Sequence, residues 1–232
     1  MRGLRSTATL GLLTAFLAGC TITPAAIPVH DEPALLVDIA YDPHAGSGHS
    51  HPATISQDQL LPVLRGLQLL GRDVTGTFGL LDHERATPAL SEPIITQLAP
   101  LLATGLAKAS AKDLVRFYLV QRDSQKAPLI TSGGFFLRNR HLYVILANAR
   151  TSPSSIQYEN AYEPNSRQDP LLPIARFKFK TLFLPAEWRV ETHDAKRQDG
   201  WEGYMDESKV VVIDLARIRS GRENPVSHVP SR

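Results

Sequence analysis

Cysteine is almost absent from this chain, which holds a single cysteine, Cys20, among its 232 residues. One cysteine cannot form a disulfide within the chain, so the fold must be held together by its apolar core. The chain also has no large excess of positive or negative charge. The 25 basic residues nearly balance the 23 acidic ones, and there is no basic stripe of the kind that nucleic-acid-binding proteins carry. The apolar fraction of 43% is ordinary for a globular domain, and nucleic acid is not an expected partner.

The sequence also lacks the short motifs that commonly accompany catalysis. There is no G-x-S-x-G elbow, because Gly46-Ser47-Gly48 has the wrong spacing, and no S-x-x-K motif stands out. Phosphate-loop and dinucleotide fingerprints are missing as well. We therefore expect a protein that is not an enzyme. A hydrolase remains a third hypothesis, and it would require an ordered Ser–His or carboxylate pair in a pocket.

The most informative segment lies at the N-terminus. Arg2 and Arg5 precede an apolar run over 8–18, which has about the length of a signal-peptide h-region and leads into Leu-Ala-Gly-Cys at 17–20. A membrane-spanning helix needs about 20 apolar residues, and this run is shorter and is interrupted by two threonines. The pattern resembles the lipobox of bacterial lipoproteins.

This resemblance implies that the Cys20 thiol is diacylated, with chains such as palmitate, that the chain is cleaved before Cys20, and that the new amino terminus is acylated. Two or more acyl chains give stable anchoring. Residue 21 is Thr rather than Asp, which implies the outer membrane, facing the periplasm, in a two-membrane bacterium, and the outer face of the plasma membrane in a one-membrane bacterium. No free thiol would remain for catalysis or metal binding. The loss of Arg2 and Arg5 would leave 23 basic residues against 23 acidic ones.

Composition divides the rest of the chain into three parts. Residues 20–33 contain three prolines and few core-forming residues, so we expect the lipidated Cys20 and an extended tether there. Residues 34–219 form a single domain in this interpretation. Residues 220–232 lack periodicity and are expected to be a flexible tail.

Hydrophobic periodicity predicts an α+β fold, mainly an antiparallel sheet of about seven strands with two helices packed on one face. The first helix should begin at a Ser56–Gln59 capping box and run to Gly71, and the second should begin at Ser91 and kink at Pro100. Apolar residues on both faces of the strand at 141–149 indicate a central, covered strand. The predicted strands are 34–41, 74–81, 114–121, 130–138, 141–149, 174–184 and 210–215. Gly133 and Gly134, inside one of them, mark a bulge or a close backbone contact.

A segment rich in histidine is the first candidate for chemistry. Asp42, His44, His49 and His51 lie within ten residues, on a stretch rich in glycine that we expect to be a flexible loop. Imidazole suits zinc, copper and nickel, and three His with one Asp would complete a tetrahedral site. The alternative is a solvated loop that carries histidines without binding a metal.

Aromatic residues in two long polar loops are the candidate for partner binding. Tyr158 and Tyr162 lie in the loop at 151–173, and Trp201, Tyr204 and Met205 lie among charges at 193–208. Aromatic residues and methionine are enriched at protein interfaces. These side chains could equally fold back and cover the edge of their own domain.

We therefore expect a non-enzymatic, lipid-anchored cell-envelope protein that binds a protein partner as an accessory of an envelope assembly or secretion complex. The alternative is a periplasmic metal-binding lipoprotein that would use the 42–51 loop to hold zinc or copper.

Overall fold

The computed structural model describes residues 24–71, 85–122, 128–152, 167–174, 179–200 and 206–218. The helices include α1 (Gln57–Gly66), α2 (Glu92–Lys108) and α3 (Thr192–Asp199), and residues 167–168 and 215–218 are helical as well. Short 3₁₀ turns cover Ala186–Trp188 and Glu207–Lys209. The strands are β1 (Ile27–Glu32), β2 (Leu35–Tyr41), β3 (Leu67–Gly71), β4 (Arg85–Pro88), β5 (Asp113–Gln121), β6 (Leu129–Arg138), β7 (His141–Thr151), β8 (Lys180–Phe183), β9 (Arg189–Val190) and β10 (Val210–Asp214).

The strands form two antiparallel sheets. The larger has seven strands in the order β1-β2-β5-β6-β7-β10-β9, and the smaller has three in the order β4-β3-β8. Every strand pair in both sheets is antiparallel. The predicted α+β class with a seven-stranded antiparallel sheet is confirmed, and the three-stranded sheet is an addition that the sequence patterns did not predict.

Both faces of the large sheet are covered. The main core joins α1 and α2 to one face through residues such as Leu64, Leu98, Phe117 and Val144. On the opposite face, Phe136 and Tyr143 pack with Leu171 and with Ala195 of α3. The two long helices therefore lie on one side, as predicted, and a short helix and the 167–174 segment cover part of the other.

Strand β7 confirms the prediction of a central, covered strand. Leu142, Val144 and Leu146 belong to the core on the helix side, while Tyr143 and Ile145 belong to the core on the opposite side. A strand with both faces buried has no solvated side, which explains why polar residues do not alternate along it.

The predicted start of α1 is confirmed, and its predicted end is wrong. Ser56 caps the helix, and its reciprocal hydrogen bonds with Gln59 form the capping box. The helix ends at Gly66, not near Gly71, because the chain turns into β3 and pairs with β8. An added Cβ at Gly66 would lie 2.4 Å from the Leu184 carbonyl oxygen, so only glycine allows this close approach. The leucines at 67 and 69 are then buried at the spacing of a strand.

The prediction of a tether over 20–33 is wrong for residues 27–32, which form the edge strand β1. This segment pairs with β2 from Ile27↔Ile39 to Glu32↔Leu35, with a bulge between Pro28 and His30. Pro28 has no backbone N–H. An edge strand tolerates this, because the N–H groups on its outer side have no neighbouring strand to pair with. Residues 24–26 are exposed and lie outside any strand.

Most other strand predictions agree with the structure. The hairpin around Asn139-Arg140 is present, and β5 and β10 match their predicted positions within a residue or two. Of the predicted 174–184 strand, Lys180–Phe183 forms β8, and residues 175–178 lie outside the described part of the chain. The predicted strand at 74–81 and the predicted tail at 220–232 lie outside the described residues.

Gly133 lies where the backbones of β6 and β7 come close together, next to a shift in their register. An added Cβ at Gly133 would lie 1.9 Å from the Ile145 carbonyl oxygen, whereas one at Gly134 would first meet the side-chain tip of Leu114 at 3.0 Å.

We expect Gly133→Ala to lower the free energy of unfolding by about 3 kcal/mol, because backbone would have to move. Gly134→Ala is the matched control and should cost about 1 kcal/mol or less, because a side chain can yield. Urea unfolding measures both, and equal losses would contradict this account.

Candidate functional site: the histidine loop and the β6–β7 hairpin

The histidine loop, residues 42–51, is an ordered part of the fold and not a flexible loop, so that prediction is wrong. It connects β2 to the approach of α1 at the end of the large sheet that also holds the Asn139-Arg140 turn. Its backbone N–H groups donate at Asp42 to the Lys112 carbonyl (2.8 Å), at His49 to Ala111 (2.7 Å) and at Ser50 to Leu137 (2.7 Å). These bonds fix both ends of the loop to β6 and to the turn between α2 and β5.

Asp42 and His49 form a buried pair inside the loop. His49 Nε2 lies 2.8 Å from Asp42 Oδ2, and the two side chains are 0% and 1% exposed. The other carboxylate oxygen of Asp42 accepts the His44 backbone N–H at 2.8 Å. The His49 ring also packs on Phe136, with ring centroids 4.3 Å apart. Because a buried polar pair is costly unless it is satisfied, these contacts make the pair a structural element of the loop.

His51 is held by the backbone of β6. Its Nε2 accepts the Leu137 N–H at 3.3 Å, and its ring meets the His49 ring edge-on with centroids 5.9 Å apart. Burial, followed by the neighbouring His49, lowers the pKa of His51 to about 4. His51 is therefore neutral at pH 7, and the bond from Leu137 places its proton on Nδ1.

These hydrogen bonds limit what the loop could offer a metal ion. Nε2 of His49 faces the Asp42 carboxylate and Nε2 of His51 accepts a backbone proton, so the nitrogens left over are the two Nδ1 atoms. Both are buried and without a hydrogen-bond partner. The His51 proton occupies its own Nδ1, so that atom offers a metal ion no lone pair. His44 is exposed.

The structure thus brings three of the four predicted metal ligands together, but as hydrogen-bonding partners of one another and of the backbone. Within the described residues there is no group of three or more His, Cys, Asp or Glu side chains arranged to hold a metal ion.

Arg138, which the sequence analysis did not single out, is the residue around which the loop closes. Its Nη2 donates to the carbonyl oxygens of Ala45 (2.7 Å) and Gly48 (3.2 Å), and the residue is 2% exposed. Gly46 and Gly48 have positive φ angles of 55° and 111°, which glycine adopts at no steric cost. The glycines therefore serve to turn loop carbonyls towards a buried guanidinium, not to make the loop flexible.

A second buried cluster joins α3 to the hairpin through Asp199. Oδ2 of Asp199 accepts the Tyr143 hydroxyl at 2.7 Å and lies 2.8 Å from His141 Nδ1, while Oδ1 accepts the Asn139 amide at 2.7 Å. Burial alone would raise the pKa of Asp199, but the hydrogen bonds from Tyr143, His141 and Asn139 outweigh it and keep the pKa below its usual value. Burial, and then the Asp199 carboxylate, raise the pKa of Tyr143, so the phenol stays a donor. No sequence pattern pointed to Asp199, because its partners lie 56–60 residues away along the chain.

One aromatic stack connects the two clusters. Phe136 lies between the His49 ring and the Tyr143 ring, and it stacks on Tyr143 with centroids 4.7 Å apart and an interplanar angle of 9°. The Asp42–His49 pair and the Asp199 cluster are therefore parts of one packed unit. Its ionisable groups point into the protein, since the side chains of His141 and Asp199 are only 5% and 1% exposed.

A separate polar group lies on the same side of the sheet as α3, further along the strands. Arg116 donates two hydrogen bonds to Asp38 on the neighbouring strand, at 2.9 and 2.8 Å, and its other nitrogen lies 3.8 Å from Asp169. Ser132 donates to the Pro170 carbonyl oxygen at 2.6 Å, and Asn148 donates to Ser132 at 2.8 Å. These contacts hold the 167–174 segment across the sheet.

The remaining predicted site residues cannot be placed. Cys20 and the aromatic candidates for partner binding lie outside the described residues: Tyr158, Tyr162, Trp201, Tyr204 and Met205. Among the residues that are described, no helix has both the length and the apolar character that a membrane crossing requires.

Comparison with known proteins adds no relative to this picture. No family model, no curated protein and no solved structure matches the chain.

The Asp199 cluster should contribute strongly to stability. We expect Asp199→Asn to lower the free energy of unfolding by about 2–4 kcal/mol, because three donors would lose a charged acceptor and the new amide group would face other donors. Asp194→Asn is the matched control on the same helix. Asp194 is 53% exposed in a loose pair with Arg197 and should cost less than about 0.5 kcal/mol. Urea unfolding at pH 7 measures both, and an Asp199→Asn variant as stable as the control would refute the role given to this carboxylate.

His51 should make stability depend on pH. The folded His51 has a pKa of about 4 and the unfolded side chain one near 6.5, so between these values the unfolded chain binds a proton that the folded protein does not. Its contribution is complete above pH 6.5 and is lost, by up to about 3 kcal/mol, as the pH falls to 4.

The comparison of His51→Gln with the parent tests this dependence. Glutamine does not titrate and its amide oxygen can still accept the Leu137 N–H, so we expect a flatter pH profile between 4 and 6.5. His44→Gln, on the exposed part of the same loop, should keep the slope of the parent. Urea unfolding at several pH values provides the measurement, and an unchanged slope in His51→Gln would show that another group carries the dependence.

Proposed function

We propose that this chain is a non-enzymatic, lipid-anchored cell-envelope protein. In this proposal Cys20 carries the anchor, the protein lies at the outer membrane facing the periplasm, and it acts by binding a protein partner as an accessory of an envelope assembly or secretion complex.

The observation that carries the proposal is the lipobox-like sequence at 17–20 followed so soon by a folded strand. Ile27, the first residue of β1, comes only seven residues after Cys20. A residue spans at most about 3.6 Å, so an anchor on Cys20 would keep the start of the sheet within roughly 25 Å of the bilayer. A domain joined so closely to its anchor would work at the membrane surface.

The burial of the ionisable groups at the histidine loop supports a binding protein over an enzyme or a metal carrier. The side chains of Asp42, His49, His141 and Asp199 are each 5% exposed or less, and their hydrogen bonds run to one another or to neighbouring parts of the fold. A catalytic or transport site needs side chains that a substrate or metal ion can reach. These side chains instead hold the loop and α3 in place.

The 201–205 segment is the favoured partner-binding region, because the residues on either side of it are held firmly. Gly200 ends α3 in a left-handed conformation directly after the Asp199 cluster, and the Asp206 side chain accepts the Ser208 N–H at 2.9 Å. Trp201, Tyr204 and Met205 lie in the sequence between these two described positions. Aromatic residues and methionine are enriched at protein interfaces, which is why we favour these three side chains.

The anchor and the partner can be tested in the same cells. We expect the parent protein to incorporate radiolabelled palmitate and to sediment with outer membranes, and Cys20→Ser to do neither, because serine has no thiol to acylate. A Cys20→Ser variant that still incorporates label would contradict the anchor. In-cell cross-linking of the parent, followed by mass spectrometry, should recover one envelope protein in a stoichiometric amount.

The partner-binding role of the 201–205 segment is tested by the double variant Trp201→Ala/Tyr204→Ala. It should lose most of the cross-linked partner while it remains lipidated. His193→Ala is the control, since His193 is an exposed residue of α3. Recovery of the parent protein alone would refute the accessory function, and full recovery of the partner with the double variant would place the interface elsewhere.

A further inference from the structure

The antiparallel order of the large sheet brings the ends of several strands together. β1 begins, β2 ends and β5 begins at the same end of the sheet, since Ile27 pairs with Ile39 and Tyr41 pairs with Asp113. The C-terminus of α2 reaches this end too, because only residues 109–112 separate α2 from β5. We call this region the anchor end of the domain, because Cys20 precedes β1.

Two large apolar side chains are exposed at the anchor end. Ile27 is 62% exposed and Tyr41 is 42% exposed. Paired residues on adjacent strands point to the same face, and so do residues two apart on one strand, so Ile27, Ile39 and Tyr41 share the helix-side face. Diagonal neighbours of this kind lie roughly 7–8 Å apart, which makes Ile27 and Tyr41 one small apolar patch.

Cationic side chains lie beside this patch. Lys108 is the last residue of α2 and Lys112 belongs to the turn that follows. Both are exposed, and the Lys112 ammonium also donates to the carbonyl oxygen of residue 46 in the neighbouring loop. The acidic neighbour Asp113 is only partly exposed, and its carboxylate accepts the Ser110 N–H at 2.8 Å. Lysines near an anionic bilayer each contribute about 1 kcal/mol of attraction, and tyrosine is enriched at the membrane–water interface.

The opposite end of the sheet has a different character. β1 ends there in Asp31 and Glu32, both exposed, and the β1–β2 turn at 33–34 is exposed as well. Asp31 forms an ion pair with Arg167, so Glu32 is the acidic side chain that this cation does not bind. Strand β2 separates this turn from Tyr41 by seven residues, or roughly 24 Å. An anionic surface would repel the Glu32 carboxylate and attract the lysines of the anchor end, so the two ends of the sheet are not equivalent towards a membrane.

We propose that the anchor end is a membrane-docking surface. Ile27 and Tyr41 insert into the interfacial layer of the bilayer, Lys108 and Lys112 face anionic headgroups, and the β1–β2 turn points away from the membrane. This inference rests on the proposed lipid anchor, because a chain of seven residues from Cys20 keeps Ile27 within reach of the bilayer. The occupant of the patch is thus a lipid surface, and the lipid-anchored domain has one orientation on it.

Site-directed nitroxide labels can test the orientation in the full-length lipidated protein. Cys20 is acylated, so an added cysteine would be the only one that reacts. Ala107→Cys, on the last turn of α2, reports the anchor end, and the matched variant Ala34→Cys reports the opposite end; both alanines are exposed. Each labelled protein is reconstituted in vesicles that contain phosphatidylglycerol, and collisions with oxygen and with a water-soluble nickel complex are measured.

We expect the nickel collision rate at position 107 to be several-fold lower than at position 34, and the oxygen rate to be higher. The charge reversal Lys108→Glu, which leaves the Lys112–Gly46 hydrogen bond in place, should reduce this difference in phosphatidylglycerol vesicles while the protein still floats with them. Equal nickel rates at the two positions in floating protein, or protection of position 34 instead, would overturn the docking surface and leave the anchor intact. Protection of position 107 in native membranes but not in vesicles would also overturn it, since a protein would then be the occupant. Failure to float would refute the anchor, and the docking surface with it.

Discussion

The structure depends on one constraint, which is that the β6–β7 hairpin is buried on both faces. Val144 of β7 packs towards α1 and α2, and its neighbour Tyr143 packs towards α3. Two long helices cover the middle of the first face, whereas part of the second is covered by the 167–174 segment and by α3, in which Ala195 is the one apolar residue. Polar contacts therefore assist there: Asp199 fixes α3, and the Arg116, Ser132 and Asn148 side chains fix the 167–174 segment.

The same constraint explains why histidine and aspartate are buried at one end of the hairpin. A buried carboxylate is costly unless donors surround it, and Asp42 and Asp199 are each surrounded by them. The donors come from loops and strands that would otherwise be held only by their own backbone. Polar residues at this end thus fix the geometry of the loop and of α3, and their type alone does not reveal a catalytic or metal-binding role.

Local signals in the sequence predicted much of the fold. The Ser56 capping box, the Asn139-Arg140 turn and the two-sided pattern of β7 depend on neighbouring residues and were found. The end of α1 was missed, because leucines at 67 and 70 fit a helix as well as they fit the strand that sheet pairing selects. The candidate site was harder. Spacing grouped Asp42 with the histidines correctly, but it could not tell which ring nitrogen is occupied, and the contact between Asp199 and Tyr143 has no local signal at all.

The position of the histidine loop connects stability to the proposed place of the protein. The loop lies at the anchor end, where Arg138 and the Asp42–His49 pair fix it against β6. Lys112, whose backbone carbonyl accepts the Asp42 N–H, also donates through its Nζ to the Gly46 carbonyl oxygen at 2.5 Å. A rigid loop keeps the start of β1, the end of β2 and the turn after α2 in one fixed arrangement. If Cys20 carries the anchor, only seven residues separate it from the rigid end of the sheet. The buried polar pairs, which keep that end rigid, then limit the orientations that the domain can take on the membrane.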